Sequence, residues 1–294
     1  MRRAIEPILA SLRRAVSPFA GRQQPKTFPT TVAVDRAFRR PIGQCIYCGS
    51  TANLTEEHVV PYGLAGHRLI LEDASCRPCA KTTGAFEGAV LRGFMLKART
   101  VAGLPTRRLR ERPKAFTLEA GDGHNLQTFT IPVADYPALL QLPRLPRAGF
   151  LAERPYCEGL SINGRDILHF GKDLGQVAKD LGVGSIQLSD WGNIQAFSRM
   201  LAKIGYAFAV FERGPIPRDE VPVLPLILGT ANNGSAWVGS AEYQTEMEKR
   251  GAPWVLSAYA GTRLDKRVTV ARVKLFANTG TTGYEVVVRR SRGW

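Results

Sequence analysis

The sequence has no run of apolar residues long enough to cross a membrane. A membrane-spanning helix needs about 20 consecutive apolar residues, whereas the best candidate, VPVLPLILG at residues 221–229, is short and contains two prolines. The N-terminal segment MRRAIEPILASLRRAV is basic, but Glu6, Arg13 and Arg14 interrupt any signal-like apolar stretch. We therefore expect no membrane association and a cytoplasmic location. An arginine-rich organelle-targeting segment is the weaker alternative.

Acidic residues are scarce. The chain has 25 Asp and Glu against 40 Lys and Arg, which gives a formal net charge of +15. A field of this sign attracts polyanions. Arginine clusters at 39–40, 107–110 and 289–292 suit phosphate, because the planar guanidinium can bond two oxygens at once. The charge balance predicts nucleic acid as the partner.

Cysteine is also rare, with five in 294 residues, yet four of the five form two CxxC pairs. Cys45 and Cys48 make the first pair, and Cys76 and Cys79 make the second. Without an export signal, paired CxxC motifs indicate metal ligands before they indicate disulfides. Four thiolates satisfy a tetrahedral Zn²⁺ and leave no open position. The spacing predicts a structural zinc site, and the fifth cysteine, Cys157, is expected to be a small buried apolar residue.

Between the two pairs lies TEEHVVP, residues 55–61, which places acidic residues beside His58 and a proline three positions after it. This motif, flanked by the CxxC pairs, resembles the zinc-knuckle branch of the HNH endonuclease family, over about residues 43–98. The resemblance implies a ββα-metal, treble-clef-like fold. It also implies hydrolysis of phosphodiester bonds in DNA, expected to be double-stranded, with His58 as the general base and Glu57 as a ligand of a catalytic Mg²⁺ or Mn²⁺.

The sequence departs from the family pattern at Ala80, where members usually have Asn or His just after the last cysteine. Alanine cannot bind a metal, and several alternatives follow. Glu57 could hold the ion with water and substrate phosphate. Glu87, seven residues further along the same expected helix, could supply the second ligand, and Glu56 could replace Glu57 if the strand register differs by one. The other alternative is a catalytically inactive module that keeps the fold and binds nucleic acid only.

Other polar residues near the motif are assigned weaker roles. His67 lies between glycine and arginine in a predicted loop and is expected to be a solvated loop histidine. Three basic residues flank the helix after the second CxxC and are candidates for phosphate contact or for simple solvation: Arg77, Lys81 and Arg92. No role is assigned to His124 or His169.

The chain divides into three parts by composition. Residues 1–42 form a basic arm and linker, with nine basic side chains against two acidic ones. Residues 43–98 form the cysteine-containing module, and residues 99–294 form a larger α+β domain without a chemical motif. In that domain we expect a core helix capped by Ser189 or Asp190, with Gly205 at a close helix contact, and a terminal β-hairpin around the NTG turn. The expected fold class is α+β.

Overall fold

The computed structural model describes residues 38–122, 125–188, 192–241, 254–263 and 266–291. Most of the expected basic arm, including its short amphipathic helix, lies outside these residues, as do His124, Ser189 and Asp190. The described chain is a mixed α+β structure with four small sheets and seven α-helices, which confirms the expected fold class. Within these residues, no helix combines the length and apolarity that crossing a membrane requires.

The first part of the described chain is a three-stranded sheet followed by a helix. Strand β1 (Phe38–Pro41) runs parallel to the central strand β3 (Leu69–Cys76), and β2 (Leu54–His58) runs antiparallel to β3 on its other side. A short helix, α1 (Tyr62–Ala65), lies in the connection between β2 and β3. Helix α2 (Arg77–Leu91) begins directly after β3, and its second residue is Pro78, which is favoured in a first helical turn.

The middle of the chain consists of short helices and two further small sheets. Helix α3 (Leu96–Val101) is followed by the antiparallel pair β4 (Ala115–Asp122) and β5 (Asn125–Pro132), and β6 (Pro137–Arg144) pairs with β7 (Gly164–Gly171). Helix α4 (Leu174–Leu181) is capped by Asp173, whose carboxylate accepts a hydrogen bond from the Gln176 backbone N–H. Strand β8 (Ser185–Gln187) adds to the free edge of β4.

The last part contains the longest helix and the largest sheet. Helix α5 (Ile194–Arg213) is followed by the short helices α6 (Leu224–Leu228) and α7 (Gly234–Trp237). Four antiparallel strands then form a sheet in the order β10-β11-β12-β9. Their bounds are β9 (Val238–Ala241), β10 (Trp254–Arg263), β11 (Lys266–Leu275) and β12 (Gly283–Arg290). Strands β11 and β12 pair across the NTG turn, which confirms the predicted terminal hairpin.

Helix α5 is the centre of the core. Fourteen of its twenty residues are buried, and it packs against α2 on one side and against β11 and β12 on the other. The predicted cap is corrected, because the Asn193 side chain accepts a hydrogen bond from the Ala196 N–H at the start of the helix. Gly205 lies at a close contact, but with the sheet. A Cβ atom at this position would come within 2.9 Å of the Val286 side chain.

Candidate functional site

The four paired cysteines lie together at the junction of the first sheet and α2. Their Sγ atoms all lie within 4.8 Å of one another, and the Sγ atoms of Cys48 and Cys76 are 3.5 Å apart. Neighbouring sulfurs in a tetrahedral site with bonds of about 2.3 Å lie about 3.8 Å apart, so the donor set fits this geometry. Cys45, Cys48, Cys76 and Cys79 could therefore hold a metal such as zinc, as the spacing predicted.

The backbone fixes the first pair of cysteines relative to β3. Gly49 donates a hydrogen bond to the Cys45 carbonyl and adopts a φ of 80°, the left-handed conformation that glycine tolerates without strain. The Ile46 N–H donates to Ala74 of β3. The second pair lies at the end of β3 and in the first turn of α2. The cluster thus joins a loop, a strand and a helix at one point.

A register shift in the β2–β3 hairpin determines where the acidic residues and His58 point. Thr55 lies opposite Ser75, but Glu57 lies opposite Leu71, so β3 contributes two extra residues, and Asp73 nearby has a positive φ of 49°. Bulges of this kind redirect side chains. Glu56 is exposed and pairs with Arg39 at 2.5 Å, whereas Glu57 is only 5% exposed. Glu57 and His58 then point away from each other, as alternation along a strand requires.

Glu57 is part of a buried charged triad with Glu87 and Lys203. The Lys203 ammonium lies 2.6 Å from Glu57 Oε1 and 2.8 Å from Glu87 Oε1, and it also donates to the His58 backbone carbonyl. Lys203 is 1% exposed and comes from α5, far along the chain. Burial alone would lower its pKa, but the charges of Glu57 and Glu87 outweigh that effect, and the pKa of Lys203 is raised. The triad therefore holds an ionised ammonium between two carboxylates.

The two carboxylates of the triad share their surroundings with a tyrosine. Burial raises the pKa of Glu87, against the opposing effect of the Lys203 charge. The fully buried Tyr47 lies close enough for the charges of Glu57 and Glu87 to add to the effect of burial, and its pKa is raised well above the usual value. Tyr47 is therefore a neutral phenol. Lys203 is the cation that contacts both carboxylates.

On the other side of the strand, His58 belongs to an aromatic and basic cluster. We call His58, Tyr62, His67 and Arg107 the histidine cluster. His58 Nε2 lies 2.9 Å from His67 Nδ1 and 3.5 Å from the Arg107 guanidinium. The Tyr62 ring lies 4.7 Å from that of His67, and the Arg107 guanidinium lies 5.0 Å from the Tyr62 centroid. His67 and Arg107 are exposed, and His58 is half-buried.

The surroundings of His58 keep its imidazole neutral. Burial is the largest cause, and the positive charges of Lys203 and Arg107 and the neighbouring His67 add to it, so the pKa of His58 falls from 6.5 to about 4. The short contact between His58 and His67 requires one ring nitrogen to donate and the other to accept. At pH 7 His58 is a neutral imidazole on the surface side of the hairpin.

The structure brings some of the predicted site residues together and separates others. Glu57 and Glu87 share one cation, so Glu87 is not a solvated helix residue, and His67 contacts His58. Ala80 is half-buried on α2, Lys81 is exposed, and His169 is exposed on β7. Cys157 is exposed, with its sulfur 3.4 Å from Ser235 Oγ, so the expectation of a buried apolar role was wrong.

Sequence reasoning missed Lys203 and Arg107. Lys203 is the only charged residue in residues 200–211 of an otherwise apolar helix segment, and a lone lysine there signals a buried ion pair. Arg107 had no distinguishing signal beyond its place in an arginine cluster.

Comparison of the chain with models of protein families, with curated proteins and with solved structures finds no match.

Proposed function

We propose that this protein binds nucleic acid through a zinc-stapled, HNH-type module in which Lys203 takes the place of the catalytic divalent cation. One observation carries this proposal: the Lys203 ammonium lies between Glu57 and Glu87, at 2.6 and 2.8 Å. In a nuclease of this kind those carboxylates would be the acidic ligands of the metal ion. A buried lysine that is ion-paired with both carboxylates competes directly with Mg²⁺, and it is too enclosed to contact a phosphate itself.

The order of elements around the triad supports the HNH-type assignment. Helix α2 follows the β2–β3 hairpin directly. Glu57 lies on the hairpin and Glu87 on the helix, and the cysteine cluster lies where the hairpin and the helix join. This is the arrangement that the resemblance implies. The net charge of +15, the exposed Arg107 of the histidine cluster and the exposed Arg108 and Arg110 next to it support a polyanionic partner.

The second candidate function is a metal-dependent endonuclease cutting DNA, and the histidine cluster favours it. His58 is neutral and near the surface, which is the state that a general base needs. Arg107 lies close enough to neutralise charge on an attacked phosphate. For this function Lys203 would have to leave the triad, so that Glu57 and Glu87 could bind Mg²⁺ or Mn²⁺.

Two assays on the same protein separate the candidates. Fluorescence anisotropy with duplex and single-stranded oligonucleotides measures binding, and supercoiled plasmid with Mg²⁺ or Mn²⁺ measures nicking. We expect salt-sensitive binding and no nicking by the wild-type protein. Nicking that is lost in His58→Ala would establish the endonuclease instead. Absence of binding at low salt to both kinds of oligonucleotide contradicts the primary proposal.

A further inference from the structure

We infer that His58, His67 and Arg107 form a binding site for a single phosphodiester group, with Tyr62 as the surface that holds these side chains in place. The inference rests on the proposed function and deepens it, because it names the atoms that would contact the nucleic acid.

The three polar side chains converge on one small area from separate parts of the chain. His58 ends β2, His67 lies in the loop before β3, and Arg107 lies beyond α3, outside the cysteine-containing module. Nevertheless His58 Nε2 is 2.9 Å from His67 and 3.5 Å from Arg107. His67 and Arg107 are exposed, so a phosphate can reach them from solvent. The guanidinium fork, and an imidazole N–H that the His58–His67 contact leaves free, are donors that suit phosphate oxygens.

The charge around the cluster favours an anion over a metal ion. Two imidazole nitrogens 2.9 Å apart could also chelate a transition metal. However, the Arg107 guanidinium lies beside them, so a cation bound between the imidazoles would face its positive charge. The exposed Glu56 carboxylate on the same strand is already paired with Arg39. A monoanionic phosphodiester would instead be attracted by the Arg107 guanidinium.

Tyr62 positions the other side chains of the histidine cluster in the absence of a ligand. Its ring contacts His58 edge-on at 6.0 Å and His67 at 4.7 Å, and the Arg107 guanidinium covers it at 5.0 Å. A cation held over an aromatic ring loses less side-chain freedom when it binds a phosphate. Next to Arg107, Arg108 and Arg110 are exposed, with Arg108 paired to Glu111 at 3.0 Å, and Leu109 is 71% exposed, so the chain continues as an open surface. Adjacent phosphates along a strand can follow this surface.

The test compares three single variants for binding to one duplex oligonucleotide by anisotropy. Arg107→Ala and His67→Asn remove proposed phosphate contacts. Arg213→Ala is the matched control, because it removes the same charge from an exposed position in the last turn of α5, outside the histidine cluster and the arginine segment at 107–110. We expect about a 10-fold or larger loss of affinity for each of the first two and about 3-fold or less for the control. The thermal midpoint of each variant, measured alongside, should match the wild type because all three side chains are exposed.

A second measurement distinguishes failure of the site from failure of the proposed function. Imidazole NMR signals of His58 and His67 are followed while dimethyl phosphate, and separately inorganic phosphate, is added to the wild-type protein and to Arg107→Ala. Saturable shifts with dimethyl phosphate that vanish in Arg107→Ala support the site even if no oligonucleotide binds, in which case the proposed function alone fails. Shifts with inorganic phosphate only would identify a free-phosphate site and overturn the phosphodiester inference.

Two further results would also overturn the inference. If oligonucleotides bind but all three variants lose affinity equally, nucleic-acid binding stands and the histidine cluster is not its phosphate site. If neither phosphate shifts the imidazole signals, while Zn²⁺ or Ni²⁺ does, the two histidines form a metal site instead.

Discussion

At the scale of single residues, Lys203 places a positive charge in the interior of the protein. Its ammonium is ion-paired with two carboxylates that have little access to water, and the ammonium itself has almost no access to water. Removing one partner from such a group leaves an uncompensated buried charge, which costs more than the intact group contributes.

Lys203→Met should therefore destabilise the protein by about 3–5 kcal/mol, because methionine fills similar space but leaves Glu57 and Glu87 without a cation. Urea unfolding followed by circular dichroism measures the change. Lys179→Met, at an exposed position of α4, is the control and should shift the unfolding free energy by less than about 0.5 kcal/mol. Adding Glu57→Gln and Glu87→Gln to the Lys203→Met protein should recover most of the loss. An unaltered unfolding free energy in Lys203→Met would contradict the triad.

His58 should make the protein less stable as the pH falls from about 6.5 towards 4. Its pKa is about 4 in the folded protein and 6.5 in the unfolded chain, so between these values the unfolded state binds more protons. The unfolding free energy then decreases as the pH decreases. Denaturant titrations at pH 7, 6 and 5 on the wild type and His58→Asn isolate this effect, since other titrating groups are common to both. Parallel profiles of unfolding free energy against pH for the two proteins would show that the pKa of His58 is not shifted.

At this scale the sequence predicted the residues whose partners are near in the chain. The cysteine cluster follows from local spacing, and the divergence of Glu57 from His58 follows from strand alternation. Lys203 and Arg107 could not be placed, because their contacts join positions 145 and 49 residues apart in sequence. Such contacts depend on how α5 and the segment after α3 pack, which no local pattern encodes.

At the scale of elements, the cysteine cluster ties the first sheet to α2. Cys79→Ser should remove bound zinc and lower the thermal midpoint by roughly 10 °C or more, since about 1 kcal/mol corresponds to about 2–4 °C in a domain of this size. Zinc content by atomic absorption and a thermal melt measure both effects. Cys157→Ser is the matched control, because that cysteine is exposed and lies outside the cluster. A zinc content well below one equivalent per wild-type chain would show that the cysteine cluster does not bind zinc.

Helix α5 and strand β12 approach closely at Gly205. Gly205→Ala should destabilise the protein by about 1–3 kcal/mol, because the added methyl would come within 2.9 Å of Val286 and 3.2 Å of Ala271. Gly84→Ala on α2 is the matched control. It meets no atom within 4 Å, and alanine should stabilise the helix there by up to about 1 kcal/mol. Urea unfolding of both variants gives the comparison, and equal effects of the two substitutions would contradict close packing at Gly205.

The elements themselves were largely predictable where periodicity is strong. The core helix and the terminal hairpin were expected, and both are present. The start of the helix was placed too early, since the chain offers several capping residues in succession and Asn193 is the one used. The partner of Gly205 was wrong for a related reason: a glycine signals a close approach but does not identify the element that approaches.

At the scale of the whole molecule, the positive charge should dominate nucleic-acid binding. If four or more phosphates are contacted, the affinity for a duplex oligonucleotide should fall about 100-fold or more between about 50 and 200 mM salt. Anisotropy titrations across this range measure the slope of log affinity against log salt. An affinity that stays constant with salt would show that the net charge of +15 has no part in binding.

The larger of two hydrophobic clusters in the described residues runs from Cys45 in the first cysteine loop to Val288 in the last strand. Polar contacts follow the same path. Tyr206 of α5 donates to the Ile46 carbonyl at 2.6 Å, and Arg40 of β1 donates to the Phe211 carbonyl. The sequence composition changes at residue 98, but the two parts pack against each other, because α2 lies directly against α5.

The origin of the triad has a consequence for protein engineering. Its two acidic residues, Glu57 and Glu87, belong to the hairpin and to α2, but its lysine belongs to α5. A graft of residues 38–98 onto another scaffold would transfer Glu57 and Glu87 without their ammonium. The host would have to supply a replacement: a basic side chain at the same depth, a divalent ion from solution, or protons at lower pH. The segment is therefore portable only together with a source of positive charge.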